Sequence, residues 1–250
     1  MNKPFLLALS FLTRFSVPHI ENLSSDDSSR SVLFYPVVGL VIGIVLFLPV
    51  MLFSDAPAFL LSTITVVIWS IITGGLHLDG LADSADAWLG GIGETPSNNA
   101  KTHRILKDPV VGTAGVVAIV SVLLLKVAAL SVLLETLTWS TGLLLIFAPI
   151  IGRSMILLVF LSTDYVRESG LGSSLIESLP KGTALWIISG SGLIAMLLSF
   201  WGLASVLIGF WLLHQLMLER LGGCTGDTIG ATVEISEMLW LLGAALSLSI

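Results

Sequence analysis

Leu33-Phe34-Tyr35-Pro36-Val37-Val38-Gly39-Leu40-Val41-Ile42-Gly43-Ile44-Val45-Leu46-Phe47-Leu48-Pro49-Val50-Met51-Leu52-Phe53 holds no charged side chain. At 1.5 Å per residue a helix over it is about 31 Å long, which matches the hydrocarbon core of a bilayer. Further apolar runs predict spans near 58–76, 110–134, 138–160, 183–200, 203–219 and 237–250. The last is short and ends with the chain. Turns are marked by Asp55-Ala56-Pro57, Glu135-Thr136 and Trp201-Gly202. The fold class is all-α: a polytopic transmembrane helical bundle of about six or seven spans with short connecting loops, forming one integral membrane domain over residues 1–250.

Composition agrees. The 250 residues are 55% hydrophobic and 11% charged, against about a quarter charged in soluble domains. The net charge of −6 is small and arises from loops, and no basic stripe is present, so nucleic-acid binding is excluded. The single cysteine, Cys224, precludes an intrachain disulfide and a thiolate zinc cluster. Pro4–Val17 lacks a small-residue cleavage site and contains Arg14, and reads as an interfacial or re-entrant helix rather than a signal peptide. Residues 1–32 form a cytoplasmic or interfacial segment in which Ser24–Ser31 is a solvated linker.

The basic residues sort by side. Lys3, Arg14 and Arg30 precede the first span; Lys101, Arg104 and Lys107 follow the second; Arg153, Arg167 and Lys181 lie in or beside the loop after the fourth; Arg220 follows the sixth. The alternate turns hold no Lys or Arg. The positive-inside rule then places the N-terminus and the loops 77–109, 161–182 and 220–236 in the cytoplasm, with the site built from those loops. Lys126 falls inside the third span, where a charge is costly and needs either a function or a carboxylate partner.

Three segments carry chemistry. Gly74-Gly75-Leu76-His77-Leu78-Asp79-Gly80-Leu81-Ala82-Asp83-Ser84-Ala85-Asp86 places carboxylates at i, i+4 and i+7 on one helical face. Acidic residues suit a helix start, but three beside a span exceed what capping needs. Asp79, Asp83 and Asp86 suit Mg²⁺ or Mn²⁺ bridging to phosphate, with His77 adjacent. The second segment holds Arg104, Lys107, Asp108, Gly112 and Thr113 ahead of a span, and its cations can neutralise phosphate. In the third, Gly222–Ala231, Gly223, Thr225 and Gly226 could cradle phosphate on backbone N–H groups, with Asp227 as a ligand or base. Arg153 and the loop from Asp164 to Gly172 are further phosphate candidates. His19, His103 and His214 are isolated and read as structural.

These residues resemble the cobalamin synthase family, the adenosylcobinamide-GDP ribazoletransferases, nearly end to end. The resemblance rests on Leu12-Thr13-Arg14-Phe15 with Val17-Pro18, on Phe34–Leu40, on Gly74–Asp83, on Lys107–Thr113 and on Gly222–Thr228. Ser84 and Ala87-Trp88 depart from the family pattern without removing a carboxylate. The resemblance implies the last nucleotide-loop step of vitamin B12 assembly: adenosylcobinamide-GDP and α-ribazole, or its 5′-phosphate, give adenosylcobalamin, or its 5′-phosphate, and GMP. It implies Mg²⁺ on Asp79, Asp83 and Asp86, charge stabilisation by Arg104, Lys107 and Arg153, and a base among Asp227, Asp86 and His77. It also implies a multi-pass protein of the cell inner membrane with a cytoplasmic site, and leaves open a homo-oligomer and a complex with other late cobalamin-pathway enzymes.

Two other enzyme classes fit less well. A CDP-alcohol phosphotransferase needs Ala-Arg after its Asp-Gly pair, where Asp83 stands here, and two further distant aspartates. A ubiquinone-type prenyltransferase needs two Asp-rich motifs. An ion-coupled transporter using Lys126 and Asp79 would require repeats and midplane charges, and no repeat is present.

Overall fold

The computed structural model describes residues 2–136, 138–166, 175 and 179–248. Among them the elements are α1 (Lys3–Leu12), α2 (Ser25–Ser31), a 3₁₀ turn (Val32–Phe34), α3 (Tyr35–Leu52), α4 (Ala58–Thr73), α5 (Leu76–Gly90), α6 (Ala100–Ile105), α7 (Thr113–Glu135), α8 (Trp139–Ser162), α9 (Lys181–Leu198), α10 (Phe200–Leu221) and α11 (Gly226–Ser247). The predicted loop from Asp164 to Gly172 lies outside the described residues from position 167 onward.

Six helices are long and apolar enough to cross a membrane: Ser25–Leu52 taken as one, α7, α8, α9, α10 and α11. The pair α4 and α5 makes a seventh if counted together, bent by 91° at the intervening break. The predicted run 58–76 is therefore a span that ends early. Gly74 and Gly75 both adopt left-handed backbone, φ +64° and +70°, which glycine reaches without a Cβ penalty. The chain turns there and α5 begins.

The last span also differs from expectation. The predicted run 237–250 is the second half of α11, which starts at Gly226, inside the expected 220–236 loop. Polar residues hid the first half, because Glu234 and Glu237 are buried rather than solvated. The break between α9 and α10 comes at Ser199, just before the predicted Trp201-Gly202 turn. Ser199 is extended and its hydroxyl accepts from Gly202 N–H at 3.0 Å.

Helices α8 and α11 form the centre: 78% and 72% of their apolar windows are buried, against 17% for α9 and α10. Helix α3 lies against α8, and a Cβ at Gly39 or Gly43 would meet the backbone carbonyls of Pro149 and Ile146. The Trp240 indole donates to the Leu144 carbonyl at 2.9 Å and packs on Phe147. The outer faces present Leu124, Trp186, Leu197, Ile208 and Trp211, an apolar perimeter suited to lipid.

Candidate active site

The ends of the helices meet at one end of the bundle. Arg14 N–H, beyond α1, donates to the Ile72 carbonyl at 2.7 Å, and its guanidinium lies over Gly74. The end of α8 pairs with the start of α11: Cys224 N–H donates to the Asp164 carbonyl at 2.8 Å and Val166 N–H to that of Cys224 at 3.0 Å. Burial pushes the Cys224 thiol up to about 12. The Arg220 guanidinium donates to the Gly91 carbonyl, tying α10 to the end of α5.

Helix α5 crosses α11 at glycines. A Cβ on Gly80 would stand 2.7 Å from the Asp227 carbonyl oxygen, and one on Gly230 would stand 3.3 Å from His77. The crossing brings Asp79 and Asp227 to one cavity of about 310 Å³, together with His77, Gly80, Gly226, Tyr35 and Tyr165. Asp79 is exposed and Asp83, one turn along the same face, is half-buried. Thus Asp79, Asp227 and His77, predicted from two distant segments, do come together.

Asp86 does not join them. Its two carboxylate oxygens accept from Gly112 N–H at 2.6 Å and Gly115 N–H at 2.9 Å. It caps α7, whose first N–H groups lack partners of their own. A Cβ on Gly112 or Gly115 would come within 2.5 Å of that carboxylate, so both glycines make room for it. Asp86, expected as metal ligand and base, and Gly112, expected as a phosphate contact, are thus hydrogen-bonded to each other. Among the described residues no group of three or more His, Cys, Asp or Glu gathers to hold a metal ion; the expected Asp79–Asp83–Asp86 triad is not assembled.

The Gly-rich segment is likewise mostly scaffold. Thr225 is fully buried and forms a reciprocal cap with Thr228, its hydroxyl accepting Thr228 N–H at 3.3 Å. Gly223 lies against the Asp164 carbonyl. Neither lines the cavity, whereas Gly226 does.

Arg104, Lys107 and Asp108 line a separate open basin of about 480 Å³ with His103 and Pro109. Glu94 positions this segment by accepting from Lys101 N–H at 3.1 Å, and from Thr102 N–H and its hydroxyl at 2.7 Å, which caps α6. The Thr102 hydroxyl bond holds the Glu94 carboxyl below its ordinary range. Arg104 and Lys107 are exposed, and Asp108 accepts from Val110 N–H at 3.0 Å, a turn-forming role. Thr113 opens α7 and is exposed.

Arg153 departs furthest from expectation. It is fully buried, ion-paired with Glu237, with one guanidinium nitrogen 3.5 Å from His77 Nδ1. Lys126 pairs with Glu234 and Glu237, each at 2.6 Å, and sits over the Trp69 ring at 4.4 Å. Arg153 is thus committed to a buried network rather than offered to phosphate. Sequence reasoning missed Glu234 and Glu237 as the partners, which lie 108 and 111 residues from Lys126. The one available signal was Lys126 itself, an intramembrane cation requiring compensation.

The family model described as Cobalamin-5-phosphate synthase matches residues 4–245. The chain is 46% identical over 248 residues to an adenosylcobinamide-GDP ribazoletransferase of Pseudomonas putida (strain W619), covering 98% of this chain and 99% of the relative. It is 45% identical over 238 residues to the protein of that name from Acinetobacter baumannii (strain ACICU), covering 94% and 93%. No solved structure matches. With a matched family model over nearly its whole length and relatives this similar, the chain belongs to the Cobalamin-5-phosphate synthase family.

Proposed function

We propose that the protein joins adenosylcobinamide-GDP to α-ribazole, or its 5′-phosphate, and releases GMP, the final nucleotide-loop assembly step of cobalamin biosynthesis. The observation that carries this reading is the meeting of Asp79 and Asp227 at one cavity, in a bundle whose family match is nearly end to end. A ribose hydroxyl oxygen of the acceptor attacks the phosphorus that bears the cobinamide. A P–O bond forms, the bridging P–O bond of the diphosphate breaks, and GMP leaves with the bonding pair. The 5′ position is not the nucleophile, since a 5′-phosphate on the acceptor is retained in the product.

The residues divide the work. Asp227, at the cavity wall where the ribose hydroxyl would lie, accepts its proton. Exposed Arg104 and Lys107 neutralise the diphosphate and the departing GMP. Asp79 and Asp83 offer the oxygen donors that suit Mg²⁺, which needs only one or two carboxylates beside substrate phosphates and water. When bound, the ion would offset charge on the diphosphate. Arg14, Arg104, Lys107 and Arg220 lie toward this end of the chain's topology, which supports a cytoplasmic site at the cell inner membrane.

The test is GMP release by the purified protein in lipid nanodiscs supplied with adenosylcobinamide-GDP and α-ribazole, with and without Mg²⁺. Release that requires both substrates is expected, with loss on chelation and recovery on adding Mg²⁺. Absence of GMP at any metal concentration would overturn the reading; release unaffected by chelation would remove only the metal.

A further inference from the structure

We propose that the 310 Å³ cavity between α1, α3, α5, α8 and α11 is the acceptor subsite, taking the flat aromatic base of the acceptor nucleoside against Phe11 and Tyr35 and presenting its ribose to Asp79 and Asp227. This deepens the function proposed above and rests on it. The lining is aromatic and aliphatic, with Phe11, Tyr35, Phe160 and Tyr165, together with the carboxylates of Asp79 and Asp227. The Phe11 and Tyr35 rings stack with centroids 6.1 Å apart and planes 25° apart, so Tyr35 backs the Phe11 ring and holds its orientation. Phe11 is 48% exposed while Tyr35 is 4% exposed, so one ring stands at the mouth and the other is fixed by burial. Bases stack on such rings with little dependence on sequence-specific hydrogen bonds.

Size and charge select the occupant. The volume lies at the low end for ligand sites, enough for a compact ring system and too small for a corrin macrocycle with its side arms. No Lys or Arg lines the cavity among the described residues, whereas Arg104 and Lys107 line the separate basin. A diphosphate-bearing substrate is therefore favoured at the basin and a neutral benzimidazole-type nucleoside in the cavity. Gly226 and Gly230 keep the floor low: the nearest atom to a Cβ on Gly226 would be the Tyr165 hydroxyl, 3.8 Å away. The base would rest beside the start of α11, one residue from Asp227, which is where the ribose must lie for its proton to be taken.

The experiment measures KM for each substrate separately. Phe11→Ala is expected to raise KM for α-ribazole on the order of tenfold, with KM for adenosylcobinamide-GDP unchanged and Phe11→Trp restoring the wild-type value. In the wild type, free benzimidazole is expected to inhibit competitively against α-ribazole and not against adenosylcobinamide-GDP, a measurement independent of how well any variant folds. A rise in KM for adenosylcobinamide-GDP, or competition by benzimidazole against that substrate, would assign the cavity to the guanine instead and overturn the inference. Wild-type turnover with neither effect would overturn it too, while leaving the reaction intact. If the wild type does not release GMP from this substrate pair, it is the proposed function that fails.

Discussion

His77 and Asp79 stand two residues apart on α5 and belong to two different electrostatic settings. His77 is buried and faces the Arg153–Glu237–Lys126–Glu234 network, in which two cations meet two carboxylates and the formal charges cancel. Asp79 is exposed at a cavity whose other polar wall is a second carboxylate, Asp227. In the first setting low dielectric makes every charge depend on its partner. In the second, two like charges share an open cavity and favour a ligand that brings a cation with it. Residue type does not reveal which setting a side chain occupies: Arg153 and Lys107 read alike in sequence, yet one is buried structure and the other surface.

The largest effect should come from breaking the buried set. Glu237→Leu leaves Arg153 and one arm of Lys126 uncompensated, at a cost of about 3–5 kcal/mol. Size-exclusion of detergent-solubilised protein should show loss of the monodisperse species; a variant that elutes and melts like wild type would remove the network as a stabilising feature. Asp83→Asn should act chiefly on turnover, lowering kcat about 10²–10³-fold with a smaller fall in the melting temperature than Glu237→Leu. Near-wild-type turnover at saturating Mg²⁺ would break the assignment.

Asp86 sharpens the contrast because it shares a helical face with Asp83. Asp86→Ala should destabilise by about 1–2 kcal/mol through the lost cap on α7, with turnover per folded molecule far less affected than in Asp83→Asn. Gly115→Ala should produce the same fall in melting temperature by crowding that carboxylate; a kcat loss without a stability loss in either variant would return Asp86 to the chemistry. Smaller still, Lys107→Ala should raise KM for adenosylcobinamide-GDP a few-fold, more at low salt than at high. Smallest is Cys224. Its thiol, pushed up to about 12 by burial, is protonated at neutral pH, so iodoacetamide there should label it only after denaturation.

The spans were legible where apolar residues run unbroken, as in α3, or are broken by a single cation, as in α7 and α8, because lipid imposes one composition on whatever it surrounds. The elbow at Gly74-Gly75 was not, since a pair of glycines inside a hydrophobic run fits a continuing helix as well as a right-angle turn. Helix α11 was half hidden because hydropathy scores Glu234 and Glu237 as solvated, while their partners come from α7 and α8. The meeting of Asp79 and Asp227 was readable as two motifs but not as one cavity. Nothing local tells Asp86 to turn toward Gly112 and Gly115, whose N–H groups await it 26 and 29 residues away.

The elbow also sets a depth. Sixteen residues of α4 rise about 24 Å, whereas the continuous run Ser25–Leu52 beside it extends about 42 Å from the same turn. Helix α5 therefore forms a recessed shelf, a step below the rim drawn by its neighbours. The length of one short helix, with no chemistry of its own, sets where along the bundle the carboxylates stand.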